Sequence, residues 1–216
     1  MTAYRRPVYS NPAARSWSAE PLQAAERVEN FHQKLKGYQK SPLVSLDGVA
    51  EEIGVGAVQV KIETSRLGLP ATEILGVSWA TFRAVTRQLH LPLDSDIEEV
   101  KARLAERPIP LFAATEGSHG RAVARMGAIL ALPVEIHVPA GVSAETIALI
   151  KSERATIIES KGDYAAAMVE AQAASQRRKG ILIQDCVSDG VEDTPQVSFT
   201  FHSDYCLRVD HMPVDC

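Results

Sequence analysis

The chain has 216 residues, 45% of them hydrophobic and 23% charged, with a formal net charge of −4. That length can bury a core for one full domain or two small ones. The mild acidic excess, with no Lys/Arg block, argues against a nucleic-acid or membrane-surface partner, and no apolar run approaches the ~18 residues that suggest a membrane-spanning helix.

The opening "MTAYRRPVYSNPAARSW" carries arginines but no apolar segment, so no secretory leader is expected. Residues 1–42 read as an arm with one amphipathic helix at 20–35, its apolar stripe running through Leu22, Ala25, Val28, Phe31 and Leu35. "AVQVKIE" (57–63) has the β-branched alternation of a strand. Residues 71–89 place Ile74, Leu75, Val77, Ala80, Phe82, Val85 and Leu89 at helical spacing. "SDIEEVKARLAE" (95–106) opens on Ser95 and Asp96, both good helix caps, with acids in the first turn.

From residue 109 onward strands and helices alternate. "IPLFAAT" (109–115) is a buried strand and "SHGRAVARMGAILAL" (118–132) a helix whose small residues permit close packing. "VEIHVP" is a strand, "SAETIALIKSERA" a helix starting at Ser143, and "TIIES" a strand. "DYAAAMVEAQAASQRRKG" is a helix closed by Gly180, followed by the strand "ILIQD". This βαβαβαβ order implies an α/β fold with a mostly parallel sheet flanked by helices and joined by right-handed crossovers. The pattern lapses after Val197. The three cysteines, Cys186, Cys206 and Cys216, form neither a disulfide framework nor a zinc motif, which fits a reducing, cytoplasmic location.

Three stretches could carry chemistry. "TEGSHGR" (115–121) lies between a buried strand and a helix, where backbone N–H groups and a helix N-terminus can face an anion. The same pattern also suits glycines that only close a tight turn. "KIETSRLGLPATEILG" (61–76) runs from strand through a basic, Gly-containing loop into a helix, and fits an ordinary connection equally. "ILIQDC" (181–186) leaves Asp185 at the carboxyl end of a strand, where ligands collect in open parallel sheets and where a lone Asp also serves as a cap.

In order along the chain, "YSNPAARSW", "FHQKLKGYQKSPLVSL", "VKIETSRLGLPA", "ATEGSHGR", "VPAGVSAETIALIKSERATIIES", "DYAAAMVEA" and "IQD" resemble the diaminopropionate ammonia-lyase-like group. That group belongs to the tryptophan-synthase-β-like, fold-type-II enzymes that use pyridoxal phosphate (PLP), and the resemblance covers residues 8–196. It implies a first motif of the form R-x-G-L-x-A-F-K-x-L-G-G, whose Lys holds PLP as an imine and shuttles protons. Arg66, Gly68, Leu69, Ala71, Leu75 and Gly76 match it, but Thr72 stands at the Phe position and Glu73 at the Lys position. A carboxylate forms no imine, and the lysine nearest in sequence, Lys61, matches a family lysine with another role.

The resemblance further implies a second motif, A-T-D-G-N-H-G-R. It makes Glu116 the counterpart of a base for one substrate enantiomer and Ser118 the counterpart of an Asn beside the cofactor ring oxygen; Gly117, His119, Gly120 and Arg121 are kept. Asp185 would be the base for the opposite enantiomer. The cofactor-binding candidates are therefore Ser118, His119 and Gly120, and the catalytic positions Glu73, Glu116 and Asp185.

The expected organisation is an arm (1–42), a PLP-enzyme-like α/β region (43–196) with a small domain at 75–165, and a divergent tail (197–216) that reads like translated intron. The large domain is expected to be incomplete at its C-terminus, without the Gly-rich cradle for the PLP phosphate. The resulting expectation is a truncated or degenerate relative of the ammonia-lyases, without covalent PLP. The alternatives are an active lyase acting on an amino acid through a partner-completed site, or a regulatory module. Homo-oligomers, or hetero-oligomers with an intact paralogue, are the expected assemblies, with no metal.

Overall fold

The strand–helix alternation after residue 109 folds into a parallel sheet. The structure, a computed structural model, describes residues 25–184. Four strands, β3 (Leu111–Ala114), β4 (Val134–Val138), β5 (Thr156–Glu159) and β6 (Ile181–Leu182), lie in the order β5-β4-β3-β6 with every pairing parallel. The chain steps outward from β3 through β4 to β5, then returns to the other side of β3. The helices between them are α5 (Ser118–Ile129), α6 (Ala144–Ser152) and α7 (Tyr164–Arg178). β3 is buried at every position and carries the centre of the core.

Side-chain caps start α6 and α7 where the sequence indicated. Ser143 accepts from the Thr146 N–H at 3.1 Å, and Asp163 from that of Ala166 at 3.0 Å. Upstream, α4 (Ile97–Glu106) begins at Asp96, which accepts from the Glu98 N–H at 2.9 Å. The end of α7 differs from expectation. The left-handed closing residue is Lys179 (φ 52), not Gly180. Gly180 is needed for a different reason: a Cβ there would sit 2.4 Å from both Phe112 Cε2 and the Pro110 carbonyl oxygen.

Ahead of the sheet, α3 (Glu73–Leu89) is the long helix read from the apolar spacing. Within the arm, α1 (Ala25–Lys34) packs on α3: Val28, Phe31 and Leu35 are buried, and the Phe31 ring lies 5.2 Å from Trp79 and 4.7 Å from Phe82. Leu22, which the sequence placed on the same stripe, lies outside the described residues.

The strand expected at 57–63 is shorter, β2 (Gln59–Lys61), and joins no parallel sheet. It pairs antiparallel with β1 (Leu43–Ser45), and α2 (Asp47–Ile53) fills the connection. Neither β1 nor α2 was marked in the sequence, because both are short and carry little apolar periodicity.

Candidate functional site

The connection from β3 to α5 is held from within. Thr115 Oγ1 accepts the N–H groups of Gly117 and Gly120, each at 3.0 Å, folding residues 115–120 back on themselves. Gly120 has no alternative, since a Cβ would fall 2.3 Å from Thr115 Cγ2. The buried His119 reaches across to β6, its Nε2 donating to the Ile183 carbonyl at 2.9 Å. Gln184, also buried, returns the link by accepting the Ala114 N–H at 2.9 Å. The carboxyl ends of β3 and β6 are thus stitched together at the point where strand order reverses, the usual ligand crevice of open parallel sheets.

Two side chains meet above this crevice. Glu73 opens α3 and Ser118 opens α5. The Ser118 hydroxyl donates to Glu73 Oε1 at 2.6 Å, and Thr72 Oγ1 lies 3.3 Å from Oε2. The carboxylate therefore sits at the N-terminal ends of two helices, where the exposed N–H groups and peptide dipoles favour negative charge. Glu73 is half-buried and Ser118 exposed; Glu116 points to solvent. Asp185 lies outside the described residues. The structure thus brings Glu73, Ser118, His119 and Gly120 to one end of the sheet.

A second layer of charge fixes the loop before α3. Leu67 (φ 46) and Gly68 (φ 74) both take left-handed backbone, giving a tight turn bridged from Arg66 to Leu69. Arg66 is buried in an ion pair with Glu63. Arg125, on α5, donates through Nη1 to the Leu67 carbonyl at 2.6 Å and through Nε to Glu153 Oε2 at 2.6 Å. Arg121, one turn earlier, donates to Glu153 Oε1 at 3.2 Å. Burial alone would raise the Glu153 carboxyl, but the hydrogen bonds and charge of Arg125, with Arg121 behind it, hold it below its ordinary value.

Sequence reasoning missed Arg125, Glu153 and Gln184. The spacing of Arg121 and Arg125, four residues apart on one helix, was the available signal for a shared partner. It also missed His32, whose Nε2 donates to the Leu75 carbonyl at 2.9 Å beneath the first turn of α3. Burial pushes this imidazole down to about 4, with the charge of Arg66 adding to the effect.

No helix among the described residues is long and apolar enough to cross a membrane, and no group of three or more His, Cys, Asp or Glu among them could hold a metal ion.

Comparison with known proteins gives a consistent result. The family described as pyridoxal-phosphate dependent enzyme matches residues 34–211. That match begins later and ends later than the 8–196 span of the motif resemblance, so it takes in most of the tail read as divergent. Diaminopropionate ammonia-lyase of Escherichia coli K12 is 29% identical over 172 residues, covering 79% of this chain and 43% of that protein. The Salmonella typhimurium enzyme of the same name is 29% identical over 171 residues, covering 76% and 42%. The crystal structure of the Escherichia coli enzyme in apo form superposes with a TM-score of 0.81 at 27% identity, over 88% of this chain and 52% of that one. The chain therefore spans about half the length of the relatives and structures it matches.

Proposed function

The chain belongs to the pyridoxal-phosphate dependent enzyme family, and from that premise we propose that it is a degenerate relative of the diaminopropionate ammonia-lyases which does not hold PLP covalently. The observation that carries this reading is residue 73. At the position where the motif resemblance puts the imine-forming lysine stands Glu73, whose carboxylate is engaged by Ser118 across two helix N-termini. A carboxylate has no nitrogen to condense with an aldehyde, and its charge opposes the approach of an anionic cofactor. The residues present therefore do not fit the cofactor in the family's covalent mode, and no catalytic step is assigned to it. Glu116 and Ser118, in place of the family's Asp and Asn, change the reach of the same site. The reading includes a cytoplasmic location.

A second reading, an active PLP-dependent lyase acting on an amino acid through a site completed by a partner, draws support from the intact 115–120 turn with its buried His119 and Gly120. One experiment separates the two. The protein is incubated with PLP, reduced with borohydride and mapped by peptide mass, with the Escherichia coli ammonia-lyase as positive control. No specific lysine is expected to carry the cofactor. A stoichiometric adduct on one lysine, with ammonia release from diaminopropionate, would overturn the first reading in favour of the second.

A further inference from the structure

A cleft of about 340 Å³ opens between α1, the middle of α3 and the turn that leads into α4, a volume in the range of small-molecule sites. Its floor is formed by the buried rings of Phe31 on α1 and Phe82 on α3, 4.7 Å apart. Half-buried Leu93 and Ile97 add an apolar side wall. Four charges of both signs line the rim. Arg27 and Lys34 lie seven residues apart and so on one face of α1, with Glu26 beside Arg27 in sequence and Asp94 on the turn before α4. All four are exposed, and among the described residues none is paired with another charge. Phe82 is nine residues from Glu73, roughly 13 Å along α3, so the cleft is separate from the crevice at the end of the parallel sheet. We propose that this cleft binds a free amino acid with an apolar side chain.

The chemistry of the lining selects that class. Two basic and two acidic side chains leave the rim without net charge. A ligand of one sign would gain from one pair and be opposed by the other, whereas a zwitterion satisfies both. The apolar floor and wall, extended by the methylene stems of Arg27 and Lys34, suit an apolar side chain. Phe31 belongs to α1 and Phe82 to α3, so a bound molecule touches both helices and ties the arm to the body of the fold. α1 is held to α3 by the rings of Phe31, Trp79 and Phe82 and by the His32 bond to the Leu75 carbonyl. Occupancy of the cleft therefore adds to that joint and slows the opening of α1, as a ligand of the folded state does by mass action. The cleft shares no residue with the crevice, and its occupancy is independent of whether PLP is held there.

The test is a ligand-observed NMR titration of the full chain with L-phenylalanine up to about 10 mM, where saturable binding with a Kd of about 0.1–1 mM is expected. L-Phenylalaninamide lacks the carboxylate and 3-phenylpropionate lacks the ammonium, and each should bind about 3-fold or more weakly than the amino acid. Arg27→Gln and Asp94→Asn should each weaken L-phenylalanine binding about 3- to 5-fold, the worth of one solvated ion pair. Both positions are exposed, so these substitutions leave the packed body intact. Hydrogen exchange of residues 25–34 should slow in saturating L-phenylalanine. Each of the following would overturn the proposal: no saturable binding, equal affinity for the amide and for 3-phenylpropionate, rim variants as tight as wild type, or no added protection of 25–34. Binding lost in Glu73→Gln but kept in both rim variants would place the ligand in the crevice and overturn it as well.

Discussion

Acid should loosen the attachment of α1 to α3 through one residue. His32 is fully buried, its Nε2 donating to the Leu75 carbonyl, and its pKa is lowered from 6.5 to about 4. Between those values the unfolded chain binds a proton that the folded chain refuses, so stability falls as pH falls. The contribution is fully present above about pH 6.5 and declines by up to ~1.4 kcal/mol per pH unit below it. By pH 4 the loss approaches ~3 kcal/mol, a large share of the ~5–15 kcal/mol that holds a domain together. Urea unfolding of wild type and His32→Asn at pH 7, 6, 5.5 and 5 isolates the effect. Glu153, whose carboxyl is held below its ordinary value, loses its contribution only in more acid solution. The asparagine does not titrate, and its stability should vary less steeply with pH across this window. Parallel pH profiles for the two proteins would refute the assignment.

Other consequences are more local. Glu73→Gln and Ser118→Ala should each weaken the α3–α5 joint, with a coupling of about 1 kcal/mol in a double-mutant cycle read by thermal melts, since a partly exposed charge-assisted hydrogen bond joins them. Additive effects would mean the bond contributes nothing. Gly180→Ala should destabilise by ~2 kcal/mol or more in urea, because its Cβ meets both ring and backbone of β3's approach at 2.4 Å; a neutral change would show that the turn shifts freely. Borohydride reduction with PLP should label no specific lysine, as set out above.

How much of this was legible in the sequence depended on whether the governing contact was local. The β3–α5–β4–α6–β5–α7–β6 order was readable because apolar period and caps act within a few residues, as Ser143 and Asp96 do. Gly180 was correctly picked out as necessary but given the wrong cause: the steric demand comes from Phe112, a strand partner far away in sequence, rather than from helix closure. The joint between Glu73 and Ser118 spans 45 residues, and that between Arg125 and Leu67 spans 58; neither leaves a periodic trace. β1 and α2 escaped because they are short and their apolar side chains are exposed, the opposite of the buried pattern that marks an element; β2 was read, but as a longer strand than the three residues it forms.

The pattern of kept and altered motif residues has a physical explanation in their surroundings. Among the positions that match the family, Arg66, Leu69, Ala71, Leu75, Gly76, Thr115, His119 and Gly120 are all buried, and Gly68 takes a left-handed φ of 74. Each is required by packing, by a hydrogen bond or by backbone geometry, whatever the site binds. The altered positions are different: Thr72, Glu116 and Ser118 are exposed and Glu73 is half-buried. Identity at the buried positions therefore argues for the shared scaffold alone. Of the positions to which the motif resemblance gives a part in the chemistry, Asp185 is kept and lies outside the described residues, whereas Glu73, Glu116 and Ser118 differ, and Glu73 and Ser118 join α3 to α5.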